Sequence, residues 1–212
     1  MEIVVKDLGK QFQEEWIFQG LDFSFKENQI YAVTGPNGSG KSTFLQVLSG
    51  FMPQTKGEIR YQNKKGTVNP DDFYKYISVA TPYTELIEEF TTLELLNFHF
   101  KFKKIRDEID FDSFLSKINL LKARDKVVKN FSSGMKQRLK LGLAFYSETA
   151  VILLDEPTSN LDTEGINWYQ ELLSQQRDQR IILISSNQAY EYEQSDQELN
   201  ILSYKPQKQQ IR

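Results

Sequence analysis

One run of residues in this 212-residue chain has the types and spacing needed to bind phosphate. The run fits the pattern G-x-x-x-x-G-K-S/T and consists of Gly35, Pro36, Asn37, Gly38, Ser39, Gly40, Lys41, Ser42 and Thr43. The glycines allow successive backbone N–H groups to turn inward around a phosphate, and a following helix directs its positive end there. We therefore expect this phosphate loop (residues 35–43) to bind a nucleotide, with Lys41 on the terminal phosphates and Ser42 on Mg²⁺.

A second group of chemical residues follows the apolar run 151–154, which ends in Asp155 and Glu156. Such a continuous apolar run is typical of a strand covered on both faces of a parallel sheet. Because consecutive side chains of a strand diverge, the two carboxylates can divide the work. Asp155 suits a water bound to Mg²⁺, and Glu156 suits polarising the water that attacks the γ-phosphate. We expect Lys41 and Glu156 to be catalytic and Ser42 and Asp155 to bind the metal.

The elements that position these groups are predicted from the hydrophobic pattern. Strands are predicted at 2–5, 21–25, 29–34, 57–61, 76–80, 151–154 and 181–184, with a polar loop at 63–72. Helices are predicted from the phosphate loop to about 48, at 93–102 behind a capping box, at 111–121, from 132, and at 164–175. The outline is one α/β domain over 1–212, with a mixed sheet, N-terminal antiparallel strands and a helical insertion at about 84–146. The polar tail 205–210 is predicted to fray.

Composition excludes several classes of function. The chain has no cysteine and a single histidine, His99, so disulfides, thiolate zinc sites and histidine clusters are absent. A formal net charge of −3 argues against binding to nucleic acid through bulk charge. The first residues lack an export signal, and the apolar runs are far shorter than the roughly 20 residues that span a bilayer. We therefore expect a cytoplasmic protein, with His99 serving as a packing residue.

Two further segments indicate a family. The order of 35–43, 131–138, 151–156 and 159–162 resembles that of the nucleotide-binding subunit of ABC transporters, over essentially the whole chain. Within 131–138, the signature segment, the residues that resemble the family's L-S-G-G-Q motif are Ser132, Ser133, Gly134 and Met135. Residues 159–162, which end in Asp162, resemble its D-loop. The short length of the chain and its residues 162–165 resemble the export-type branch of the family, including the haem-exporter ATPase of cytochrome c maturation.

The resemblance implies a fold, cofactors and partners. The fold would be a P-loop NTPase core with a helical subdomain, and the cofactors would be ATP and Mg²⁺. Two subunits, identical or different, would pack head to tail around two ATP molecules, with the signature segment of one on the ATP of the other. A membrane permease would hold the pair at the inner face of the membrane. Phe12, or alternatively Trp16, would stack on adenine, and core packing is the competing interpretation for either ring.

The sequence departs from the family pattern at three places. Counting back nine residues from Thr91 places Pro82 where the family has a glutamine, and Thr81 and Thr84 are the alternatives for its role. Proline offers neither a side-chain hydrogen-bonding group nor an N–H. Asn187, or Ser186 by a shift of one residue, stands where the family has a histidine that touches the γ-phosphate, so the resemblance implies a catalytic position for Asn187. With Met135 in place of the signature glutamine, these changes predict slow hydrolysis.

Other classes compete with this interpretation. A phosphate loop also occurs in small-molecule kinases, but the signature segment argues against one. A GTPase is disfavoured because no N-K-x-D motif occurs in the chain. A regulatory, non-transport ATP-binding module fits Pro82 and Asn187, whereas Glu156 argues against it. Residues 101–106 carry a basic patch, which we interpret as a solvated helix end, with permease or acidic lipid contact as the alternative.

Overall fold

The computed structural model describes residues 1–206. The strands are β1 (Glu2–Phe12), β2 (Glu15–Lys26), β3 (Gln29–Thr34), β4 (Lys56–Asn63), β5 (Gly66–Val68), β6 (Ile77–Ala80), β7 (Val151–Asp155), β8 (Ile181–Ser185) and β9 (Gln197–Asn200). The α-helices are α1 (Lys41–Leu48), α2 (Thr92–His99), α3 (Phe111–Lys117), α4 (Ser133–Tyr146) and α5 (Thr163–Gln175). The tail beyond residue 206, for which the sequence predicts fraying, lies outside the described residues.

The strands form two sheets rather than one. The first is antiparallel, in the order β2-β1-β4-β5, and the second is parallel, in the order β6-β7-β8-β3-β9. The α/β fold is therefore confirmed, while the strands predicted as a mixed sheet separate by direction. A tight turn allows β1 and β2 to pair antiparallel, whereas helical crossovers join the parallel strands.

The parallel sheet is buried on both faces, as the apolar runs predict. In β7, Ile152 and Leu154 pack in one hydrophobic cluster with the helical segment, while Val151 and Leu153 pack in the other with β1, β2 and α1. Every residue of β7 and β8 is buried. Because side chains alternate between two cores, a slip of one residue would exchange both apolar faces, so the register is fixed. The carboxyl ends of β7, β8 and β3 thus lie side by side.

The hydrophobic pattern did not predict some elements at the sheet edges, and the predicted ends of several strands and helices differ from those in the structure. Residues 63–72, predicted as a loop, contain β5 and the start of a 3₁₀ helix (Pro70–Lys75). Strand β9 was not predicted, because only Leu199 of its four residues is buried and edge strands need no apolar pattern. Strands β1 and β2 run much further than the predicted cores, and α2 and α3 end earlier, at His99 and Lys117.

Between β6 and β7 the described chain forms helices with two isolated bridges and no strand. The capping box predicted at the start of α2 is present: Thr91 accepts a hydrogen bond from the Glu94 N–H, and the Glu94 carboxylate accepts one from the Thr91 N–H. None of the helices in residues 1–206 has the length and apolar character needed to cross a bilayer.

Arg180, at the residue before β8, ties the parallel sheet to the end of α4. Its side chain is fully buried and donates hydrogen bonds to the carbonyl oxygens of Phe145 (2.6 Å) and Ser147 (2.5 Å). Carbonyls at a helix carboxyl terminus have no helical partners and favour a cation. Burial lowers the pKa of Arg180 to about 9. This contact fixes α4 against β8.

His99 packs against the same region, as expected. Its Nε2 lies 2.9 Å from the Ser147 hydroxyl, which itself donates to the carbonyl of Leu143 (2.6 Å). Burial, with a smaller contribution from the positive charge of Lys103, lowers the pKa of His99 to about 4. Lys103 is not part of a solvated helix end, because its ammonium donates to the carbonyl oxygens of Tyr74 (2.9 Å) and Ile77 (2.5 Å).

The low pKa of His99 predicts a loss of stability in mild acid. Below about pH 6.5 the unfolded chain protonates its histidine while the folded chain does not, so stability falls as the pH drops towards about 4. At about pH 5 the loss is about 2 kcal/mol relative to neutral pH. Urea unfolding of the wild type and of His99→Gln at both pH values measures it. A variant with the same acid sensitivity as the wild type would contradict this account.

Candidate functional site

The phosphate loop begins where β3 ends and passes directly into α1. Its three glycines have positive φ angles, 146° at Gly35, 73° at Gly38 and 106° at Gly40. These backbone conformations are costly for other residues. A Cβ added at Gly40 would also collide with the Ile17 side chain on β2. The glycine spacing of the motif is thus a requirement of this backbone.

Lys41, the first residue of α1, folds back over the loop. Its ammonium donates to the carbonyl oxygens of Gly35 (2.8 Å) and Pro36 (3.2 Å), and the residue is only 5% exposed. Beside it lies the phosphate cavity, a volume of about 380 Å³. Its lining consists of residues 37–43 together with Ile17, Tyr83 and Glu156. The loop, the lysine and the second carboxylate therefore face one space, as the sequence predicts.

A second space, the metal cavity of about 180 Å³, shares Ser42 and Tyr83 with the phosphate cavity and is lined by Asp155. Asp155 is 3% exposed, and its Oδ1 has no hydrogen-bond partner among the described residues. A buried carboxylate oxygen without a partner is costly unless another group satisfies it. A hydroxyl and a carboxylate on one small cavity are oxygen ligands of the kind that Mg²⁺ takes. These residues therefore fit a magnesium ion.

Glu156 has a strained backbone. Its φ is 46°, in the left-handed region, while its N–H donates to the carbonyl of Ser185 on β8 (2.9 Å). Strain of this kind persists only where surrounding structure imposes it, and it concentrates at functional sites. The turn sends the Glu156 side chain to the phosphate cavity and leaves Asp155 on the metal cavity.

Asn187 reaches the phosphate loop from the end of β8. Its side-chain Nδ2 donates to Oδ1 of Asn37 over 3.0 Å. Ser186, the alternative by one residue, is buried and donates instead to the carboxylate of Glu191. The structure thus brings Asn187, and not Ser186, to the loop.

The signature segment lies elsewhere. Ser132 caps α4 and accepts a hydrogen bond from the Met135 N–H (3.2 Å), while Asp162 caps α5 and accepts one from the Gly165 N–H (2.8 Å). A Cβ on Gly134 would lie 3.0 Å from the carbonyl of Asn160. None of the residues 132–135 and 162 lines either cavity within the described part of the chain.

The aromatic residues proposed for adenine lie outside both cavities. Phe12 is 44% exposed, and the Lys10 ammonium lies 4.9 Å from its ring centroid. Trp16 packs on Gly9, where an added Cβ would come within 2.9 Å of its ring. Two residues that line the phosphate cavity, Ile17 and Tyr83, were not identified from the sequence. Ile17 gave no chemical signal, but Tyr83 could have been found as the polar side chain beside Pro82.

A phosphate loop after one parallel strand, with two carboxylates at the end of a nearby strand, defines a nucleotide-binding ATPase domain. Residues 18–159 match the family model described as ABC transporter. YybJ of Bacillus subtilis (strain 168), an uncharacterized ABC transporter ATP-binding protein, is 31% identical over 184 residues, covering 82% of this chain and 80% of its own. ABC transporter A family member 7 of Dictyostelium discoideum is 30% identical over 208 residues, covering 96% of this chain but 24% of its own.

Solved structures show the same fold. An ATP-binding subunit of an ABC transporter has a TM-score of 0.81 at 24% identity, covering 92% of this chain and 83% of its own. The dimeric structure of a bacterial ABC transporter cassette has a TM-score of 0.77 at 19% identity, covering 94% of both chains. This chain belongs to the ABC transporter family. It is an ATP-binding, ATP-hydrolysing domain of that family.

The position of Lys41 predicts that Lys41→Ala abolishes ATP binding. The substitution removes the ammonium that lines the phosphate cavity, so only the uncharged N–H groups of the loop would remain to hold the phosphates. Isothermal titration calorimetry of ATP measures the effect, with Lys122→Ala as the control because Lys122 is exposed on a distant 3₁₀ helix. Equal affinity of Lys41→Ala and the wild type for ATP would contradict this role.

Proposed function

We propose that the chain is the ATP-hydrolysing subunit of an ABC transporter and drives transport through a membrane permease. The observation that carries the proposal is the pair of adjoining cavities. One holds the phosphate loop and Glu156, and the other holds Ser42 and the unpartnered carboxylate oxygen of Asp155. Residues 1–212 act as a single domain, with residues 84–146 as its helical subdomain.

Each group in the cavities has a distinct chemical task. Lys41 and the N–H groups of the loop hold the phosphates, and Ser42 and Asp155 hold Mg²⁺. The ion, when bound, neutralises charge that develops on the phosphate oxygens. Glu156 orients and polarises the attacking water, and Asn187 donates a hydrogen bond without titrating near neutral pH. Adenine stacks on Phe12, whose ring is accessible.

The signature segment is proposed to act on the ATP of a second subunit. Residues 132–135 lie at the amino terminus of α4, a 14-residue helix, where N–H groups and the helix dipole favour an anion. They line neither cavity of their own chain among the described residues. Two chains packed head to tail, as a homodimer or a heterodimer, would bring each signature segment and Asp162 to the partner's nucleotide.

Contacts within the chain connect the signature helix to the catalytic strand. Gln137 on α4 donates from Nε2 to the carbonyl of Pro157, which follows Glu156, over 2.7 Å. Both residues are buried. A second subunit that binds at the start of α4 would therefore act, through this hydrogen bond, on the turn that positions Glu156.

An apolar groove supports the permease as a partner. It has a volume of about 410 Å³ and lies between the parallel sheet and the helical segment. Its lining includes Phe51, Tyr74, Leu86, Ile87 and Phe98. Phe51 and Tyr74 are 76% and 64% exposed. Large exposed apolar residues gathered at a groove favour an interaction site. A permease seated here would hold the chain at the cytoplasmic face of the membrane.

A regulatory ATP-binding module with weak hydrolysis is the second candidate. Pro82 and Asn187 favour it, because each replaces a group that takes part in hydrolysis in the family pattern. A steady ATP turnover by the wild type that is lost in Glu156→Gln supports the transport ATPase, whereas absence of turnover in the wild type supports the regulatory module.

The task of Glu156 predicts that Glu156→Gln stops hydrolysis and preserves ATP binding. The amide keeps the size of the side chain but loses the charge, and loss of a general base slows reactions by roughly 10²–10⁴-fold. Because hydrolysis normally separates the subunits, the ATP-bound dimer should accumulate. Light scattering with excess Mg-ATP measures the mass, and phosphate release measures the rate.

Glu164→Gln is the matched control for this experiment. This substitution makes the same change in charge, but at a residue on the exposed first turn of α5. It should hydrolyse ATP at the wild-type rate and show no accumulation of dimer. A Glu156→Gln protein that stays monomeric at high concentration, or hydrolyses at the wild-type rate, would refute the assignment.

A further inference from the structure

Tyr83 stands at the tip of a tight turn between β6 and the helical segment. The Thr84 N–H donates to the carbonyl of Thr81 (3.2 Å), and the two threonine hydroxyls lie 2.9 Å apart. Pro82 therefore occupies the second position of the turn, where the fixed φ of proline is favourable. The hydroxyls of Thr81 and Thr84, the two alternatives to the missing glutamine, are hydrogen-bonded to each other, and both residues line the metal cavity.

Lys140 of α4 holds this turn in place through hydrogen bonds. Its ammonium donates to the carbonyl oxygens of Thr81 (3.3 Å) and Pro82 (3.2 Å). Burial, with the nearby charge of Lys136, lowers the pKa of Lys140. The turn that carries Tyr83 is thus attached to the helix that begins with the signature segment.

The position of Tyr83 places it between the two cavities of the site. It lines the metal cavity with Ser42 and Asp155, and it lines the phosphate cavity with Lys41 and Glu156. It is 78% exposed, so burial in the core does not account for its position. A phenol hydroxyl is a hydrogen-bond donor that stays neutral at physiological pH.

We propose that the hydroxyl of Tyr83 donates a hydrogen bond to the terminal phosphate of ATP and thereby makes the site prefer ATP to ADP. Pro82 forms the turn that presents Tyr83, so the pair Pro82-Tyr83 takes the place of the glutamine in the family pattern. The proposal rests on the proposed ATPase function and deepens it, since it names the residue that senses the third phosphate.

Affinities for Mg-ATP and Mg-ADP test the proposal, measured by calorimetry on the full chain carrying Glu156→Gln to prevent hydrolysis. Tyr83→Phe removes the hydroxyl and keeps the ring. It should weaken ATP binding by about tenfold to a hundredfold, because hydrogen bonds to charged groups are strong, and leave ADP binding unchanged. Tyr83→Gln supplies a donor again and should restore part of the preference for ATP.

Tyr74→Phe is the matched control, because Tyr74 is similarly exposed at 64% and lines the apolar groove but neither nucleotide cavity. Its ratio of ATP to ADP affinity should equal that of the parent. An unchanged ratio in Tyr83→Phe, or an equal loss of both affinities, would overturn the role of Tyr83. The proposed function would still stand in that case, provided that Lys41→Ala binds neither nucleotide. A parent protein that binds neither nucleotide would overturn both.

Discussion

The parallel register of β3, β8 and β7 is the constraint on which the site depends. Asp155 pairs with Ser185 across β7 and β8, and Val33 pairs with Ser185 across β3 and β8. The three strands therefore end at one edge and release their loops into the same space. Each loop brings a different group: the phosphate loop after β3, the carboxylates at the end of β7, and Asn187 after β8. Burial of both faces of the parallel sheet fixes this register, and the register determines which chemical groups meet at the site.

Buried polar groups then fix the loops themselves. The carboxylate of Glu191 is buried and accepts hydrogen bonds from the Thr158 N–H (2.8 Å), the Thr158 hydroxyl and the Ser186 hydroxyl. The Glu191 carboxylate therefore links the segment that follows Glu156 to the segment that precedes Asn187. With both loops held, the groups proposed to meet the nucleotide would lose little freedom on binding, which favours catalysis by prearranged groups.

The sequence predicted the elements and residues whose signals are local. The bounds of β3 agree exactly with the prediction at 29–34, because its apolar run is continuous and ends at the phosphate loop. The edge strands β5 and β9 contain few buried residues, so their sequences have no hydrophobic pattern that predicts a strand. Ile17 and Tyr83 join the cavities through tertiary packing, which spacing along the chain does not reveal. Counting from Thr91 located the departure at Pro82, but only the structure showed that its neighbour Tyr83 lines both cavities.

The central claim is that one chain holds ATP while a second chain completes its site. Mixing two inactive variants tests this claim directly. Lys41→Ala loses the phosphate loop, and Ser132→Glu places a negative charge at the signature segment, where it suits the start of α4 but repels a phosphate. Each variant alone should fail to hydrolyse ATP, and an equal mixture should recover phosphate release, since mixed dimers contain one intact composite site. A mixture no more active than its separate components would contradict the account.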